Sequence, residues 1–122
     1  MPYETKREGN KGIYWKLTGI VTGNEIEQLT VEIFGDSQFD NLRYLILDFL
    51  NIDDFIMSNE ELESVAAQDM AAAITNPYIK IAIITTHPRA IELANMFGHM
   101  FGGHPWEISV HGNIEEARRW CQ

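Results

Sequence analysis

Residues 44–49, YLILDF, and residues 79–86, IKIAIITT, decide the fold. Each is a short run with almost nothing in it that prefers water. A strand with one wet face alternates apolar and polar residues, whereas a strand covered on both faces reads as a continuous apolar run. Two such runs point to a sheet with helices packed on it, an α/β arrangement in which neighbouring strands are mostly parallel.

Outward from these runs the chain alternates in kind. Between them lies LNIDDFIM, read as a loop, and then Ser58-Asn59-Glu60-Glu61, a capping-box spacing that opens a helix. Leu62, Val65, Ala66, Met70 and Ala73 supply its apolar face. Asn76-Pro77 closes it, because the residue before proline resists helical angles. Before the first run, Tyr3 to Arg7 reads as an edge strand and Gly9 to Gly12 as a turn. Ile13 to Val21 alternates: Ile13, Trp15 and Leu17 face one way, Tyr14, Lys16 and Thr18 the other. Thr22 and Glu25 cap a helix carrying Ile26, Leu29 and Ile33, with Gly35 at its end. After the second run, His87-Pro88 opens a helix with the stripe Ala90, Leu93, Phe97 and Phe101. Trp106 to His111 alternates as a last strand. Asn113, with Glu116 three residues on, caps a last helix that faces inward through Ile114, Ala117, Trp120 and Cys121. The order is β-β-α-β-α-β-α-β-α. It predicts one α/β domain over residues 1–122, with a mostly parallel five-stranded sheet, an antiparallel N-terminal edge strand and four helices.

Composition narrows the roles. The chain has 122 residues and 18 acids against 9 bases, a formal charge of −9. Nucleic acid is excluded as a partner, since affinity for phosphate backbones comes from clustered Lys and Arg. The same charge argues against docking on an anionic membrane, and no run is long enough for a membrane span. The start, MPYETKREGNKG, lacks the apolar stretch of a secretory leader. The single cysteine, Cys121, closes no internal disulfide. The expected location is cytoplasmic.

Four segments together resemble a known family: GIYWKLTGIVTGNEIEQL, YLILDFLNIDDF, IKIAIITTHPRAIELANMF and WEISVHGNIEEARRWC. Their order and texture are similar to the STAS fold of anti-sigma factor antagonists, and more closely to stand-alone bacterial STAS-like, or SpoIIAA-like, proteins. The resemblance implies a single STAS-like domain and a non-enzymatic regulatory or protein-interaction module. In the antagonists, a Ser or Thr at the start of the helix after the apolar strand is phosphorylated by a partner kinase. The position nearest to it is Ser58, in the segment IMSNEELES, which departs from the family pattern in having no glycine and acids directly following.

Each candidate site residue also has a structural reading. Ser58 is a phospho-acceptor, favoured by the free amides of a helix start, or simply the helix cap. Asp48, Asp53 and Asp54 form an acidic group of the kind that holds Mg²⁺ or exchanges protons, or else a solvated turn. His87, His99, His104 and His111 show no metal-ligand spacing. Cys121 has no histidine placed to activate it. Met96, Phe97, Met100 and Phe101, with Trp106 close by, are core, or a homodimer face, or the wall of a groove for a small apolar, lipid-like ligand. Neither phosphate-loop pattern is present. No catalytic set, metal or cofactor is implied, and the partners expected are a protein, a second copy or that apolar ligand.

Overall fold

The computed structural model describes residues 3–102 and 105–122. The elements follow the expected order: β1 Tyr3–Glu8, β2 Gly12–Thr22, α1 Gly23–Phe34, β3 Tyr44–Ile56, α2 Asn59–Thr75, β4 Lys80–Ile84, α3 Pro88–Met100, β5 Glu107–His111 and α4 Ile114–Cys121, with one 3-10 turn at Phe39–Asn41. The sheet runs β1-β2-β3-β4-β5. β1 is antiparallel to β2, and the remaining pairs are parallel. The hairpin closes through Gly9, whose φ of 63° is open to glycine and strained for a side chain.

Because strand order equals chain order, every crossover moves the same way across the sheet. Right-handed connections then put α1, α2 and α3 on one face. That face holds the main core, built on Trp15, Leu17, Leu45, Phe49, Ile81 and Ile83 from the sheet and Ile26, Leu29, Leu62, Val65, Leu93 and Phe97 from the helices. Among the described residues the opposite face receives only α4, over Ile46, Ala82 and Ile84. This division explains the two continuous apolar runs, since Ile81 to Ile84 are buried on both sides of the sheet.

The helix starts follow the sequence signals. The Thr22 N–H donates to the Glu25 carboxylate. The Glu61 N–H donates to Ser58 Oγ at 3.0 Å, and the Ser58 N–H donates back to Glu61 Oε1 at 2.9 Å. The Glu116 N–H donates to Asn113 Oδ1 at 2.9 Å.

One expectation needs correction. LNIDDFIM is not a loop, because β3 continues through it to Ile56. Its polar residues are poor strand formers taken alone, but the second half of β2 offers a ladder. Thr18 pairs with Asn51, Ile20 with Asp54 and Thr22 with Ile56, across two register shifts. Tertiary pairing outweighs strand propensity here. β4 pairs with β3 only as far as Asp48, so the extension is a two-stranded ribbon whose second half is wetter than its first. In α2, Asp69 joins the buried stripe of Leu62, Val65, Ala66 and Ala73, while Met70 packs half-buried against the same core.

Candidate functional site

Four residues converge at the far end of the β2–β3 ribbon. Ser58 is exposed and caps α2. Arg89, in the first turn of α3, donates through Nη2 to the Met57 carbonyl at 2.9 Å and to Asn59 Oδ1 at 3.4 Å. Its guanidinium therefore lies against the two chain neighbours of Ser58, and it also pairs with Glu92. His87 caps α3 through Nδ1, which accepts from the Ala90 N–H at 3.4 Å. Its Nε2 lies 3.4 Å from Asp54 Oδ1. Sequence reasoning passed over Arg89, although a base next to the His-Pro helix start was visible.

The acidic group separates. Asp53 and Asp54 are exposed strand residues, whereas Asp48 is buried on the α4 side of the sheet. Asp48 accepts the Tyr14 hydroxyl and, at 3.0 Å, the Leu50 N–H. Burial, and then this bond to Asp48, push the Tyr14 hydroxyl well above its ordinary range. Beside it, Arg118 binds Glu8 bidentately at 2.8 and 2.7 Å, and the Tyr44 hydroxyl donates to the same carboxylate at 2.6 Å. The Arg118 bonds hold the Glu8 carboxyl below the usual carboxylate range. This cluster ties the first hairpin to α4. A Glu8→Gln and Arg118→Met double-mutant cycle in urea is expected to give a coupling of about 1–2 kcal/mol, the lower part of the charged range because Arg118 is 41% exposed.

Among the described residues no three of His, Cys, Asp and Glu gather to hold a metal. His99 is exposed in the last turn of α3. His111 stacks against Trp120, with ring centroids 5.6 Å apart, and its buried Nε2 has no partner among the described residues. His104 lies outside the described residues. Burial raises the Cys121 thiol to about 11, which keeps it a thiol at neutral pH.

The methionine–phenylalanine stretch divides between core and rim. Phe97, Phe101 and Trp106 are 6%, 2% and 2% exposed. Phe101 stacks on Trp106 with centroids 5.9 Å apart, and the Trp106 Nε1–H donates to the Asn76 carbonyl at 2.7 Å. The helical stripe through Ala90, Leu93 and Phe97 turns these rings onto the sheet. Met96 and Met100 stay half-buried at its border.

A different apolar space lies inside the main core. A cavity of about 80 Å³ sits between the sheet and the three helices, with Trp15, Thr30, Leu47, Asp69, Ile83 and Phe97 among its lining residues. Among the described residues its walls are apolar except at three polar side chains. Thr30 bonds back to the Ile26 carbonyl at 3.0 Å. The Trp15 Nε1–H has no partner among the described residues, and Trp15 is 1% exposed. Asp69 is 6% exposed, and burial lifts its carboxyl to about 7. An acid on the buried stripe of an otherwise apolar helix was the signal in the sequence that went unread.

No protein-family model matches the chain, and no curated protein matches it in sequence. Solved structures do match its fold. An uncharacterized protein of the DUF3478 family with a SpoIIAA-like fold, from Shewanella loihica PV-4, aligns with TM-score 0.55 and 16% identity over 98% of this chain and 92% of its own. The anti-sigma factor antagonist SpoIIAA in its unphosphorylated form aligns with TM-score 0.55 and 13% identity, over 96% of this chain and 94% of its own. The Bacillus cell fate determinant SpoIIAA in its phosphorylated form aligns with TM-score 0.60 and 14% identity, over 98% and 99%. The chain has the STAS-like, SpoIIAA-like α/β fold. Among the described residues no helix is long and apolar enough to cross a membrane.

Proposed function

We propose that the protein is a cytoplasmic, non-enzymatic regulatory module that works by binding another protein, and that the surface around Ser58 is where binding is controlled. The observation that carries this reading is the near end-to-end match of its fold to SpoIIAA, an anti-sigma factor antagonist known in phosphorylated and unphosphorylated forms. Local chemistry supports it. Ser58 is exposed at the start of a 17-residue helix, where free amides and the dipole favour an anion, and the Arg89 guanidinium lies against its neighbours. Opposing this are Glu60 and Glu61, so a phosphate would have to displace the Glu61 carboxylate from the cap.

Tagged wild type, Ser58→Ala and Ser58→Asp, expressed in the source cell and measured by native mass spectrometry, test the reading. Wild type and Ser58→Ala are expected to carry one protein partner in fixed ratio, and Ser58→Asp to lose it. A strict monomer with no partner in all three overturns it. Ser58→Ala should lower stability by about 1 kcal/mol through the lost cap, which separates a folding effect from a binding one.

A second reading, a binding protein for a small apolar molecule, is favoured by the core cavity. The cavity has about half the volume of one that takes benzene, so it suits a molecule of roughly three to five non-hydrogen atoms rather than a lipid chain.

A further inference from the structure

We infer that the core cavity is a recognition site for a small, neutral, mostly apolar molecule bearing one oxygen, such as a short-chain alcohol, and that Asp69 and the Trp15 indole N–H hold that oxygen. This rests on the second reading above and adds the polar group that the occupant must carry.

Two independent observations meet in one place. The Trp15 Nε1–H is a donor with no acceptor among the described residues, on a side chain that is 1% exposed. Asp69 comes from α2, on the other side of the cavity wall, and its carboxyl makes no hydrogen bond to any described residue while being 6% exposed. A buried polar group without a partner costs stability, and proteins rarely keep one without a reason. Here such a donor, from Trp15, and the carboxyl of the buried Asp69 line the same cavity, and among the described residues the rest of the wall is apolar apart from Thr30, which is already satisfied by its own helix. Among the described residues no cation lines the cavity, so none of them balances an ionised Asp69. Burial accordingly favours the protonated acid, which can both donate and accept. A hydroxyl oxygen would accept from the Trp15 N–H and from the Asp69 O–H, or return its own proton to the Asp69 carbonyl. The hydrocarbon remainder would lie against Leu47, Ile83 and Phe97. An anionic ligand is disfavoured, because it would face a carboxyl group with no cation to offset it.

The test uses the intact ¹⁵N-labelled protein in mildly acidic buffer, with 1-butanol and xenon as probes. Butanol is expected to move the Trp15 indole signal saturably and to leave that of Trp106 in place, since the latter is held by the Asn76 carbonyl. Asp69→Ala enlarges the cavity but removes one hydrogen-bonding partner, so butanol should bind about tenfold more weakly. Asp69→Asn keeps a donor and should retain most of the affinity. Xenon, which needs only apolar space, should bind wild type and Asp69→Ala alike and confirms that the variant is folded. Equal butanol affinity in wild type and Asp69→Ala overturns the assignment of Asp69 while leaving a plain apolar pocket standing. No response of Trp15 to either probe overturns both. A high-resolution structure in butanol with only water bridging Asp69 and Trp15 overturns the assignment as well.

Discussion

Asp69→Asn is expected to be more stable than the wild type at pH 8 and nearly equal to it at pH 4, with the difference approaching roughly 4 kcal/mol at its upper limit. The sign follows from burial. In the folded chain the Asp69 carboxyl titrates near 7, against 3.8 when unperturbed. Between those values the folded state holds a proton that the unfolded state has released. The stability linked to that proton is fully present below the unfolded value and is lost as pH rises through 7. Asparagine has nearly the same shape and never ionises, so it escapes the loss. Glu8 works in the opposite direction: its carboxyl is held low by Arg118, and its contribution disappears in acid. Subtracting the wild-type curve from that of Asp69→Asn, each from urea unfolding between pH 4 and pH 8, cancels Glu8 and every other shared group. A difference that stays flat with pH would mean that Asp69 is ionised in the fold and finds compensation there, and the neutral acid used above to bind an alcohol would go with it.

The same residue shows where the sequence was legible and where it was not. Strand and helix order could be read because each element carries its own local signal: the covered runs at Tyr44 and Ile79, the capping residues Thr22, Ser58 and Asn113, and the alternation of Ile13, Trp15 and Leu17. The antiparallel first strand followed from the glycine turn. Features that depend on partners distant in sequence were harder to see. The extension of β3 exists because β2 is long enough to pair with it, and nothing within LNIDDFIM announces that. Asp69 is hard to read because an acid is expected to face water, although the spacing of Leu62, Val65, Ala66 and Ala73 places position 69 on the buried face beside Met70. Arg89 acquires its place beside Ser58 only when α3 packs next to the start of α2. For the same reason the sequence leaves the methionine–phenylalanine stretch open between core, homodimer face and groove wall. Counting apolar residues does not reveal that three of its five aromatic and methionine positions turn inward, whereas the position of the sheet does.

Asn76→Ala is expected to be among the most damaging polar substitutions, lowering stability by roughly 2–4 kcal/mol. Sequence reasoning gives Asn76 a minor duty as the residue that ends α2 before Pro77. In the structure it is 2% exposed and joins three segments. Its Nδ2 donates to the Phe39 carbonyl at 2.7 Å and to the Leu42 carbonyl at 2.9 Å, which fixes the turn that leads into β3. Its Oδ1 accepts from the Tyr78 N–H at 3.1 Å, shaping the approach to β4. Its own carbonyl accepts from the Trp106 indole at 2.7 Å, at the start of β5. Alanine keeps only the last of these. It takes one of two donors from each carbonyl, since the Phe39 carbonyl keeps the Leu42 N–H at 3.1 Å and the Leu42 carbonyl keeps Arg43 Nη1 at 2.7 Å, and it leaves the Tyr78 N–H without its acceptor; three lost bonds at about 1 kcal/mol each set the size of the effect. Asn76→Asp is nearly isosteric but presents an acceptor to two carbonyls, so it should be at least as harmful at neutral pH. Asn76→Ala would be expected to shift the urea midpoint strongly while leaving the Asp69 pH dependence in place, because the two residues share no partner and distant sites add. If Asn76→Ala cost less than 1 kcal/mol, the three segments would have to be held in register by the apolar packing of Leu42, Ile79 and Trp106 alone.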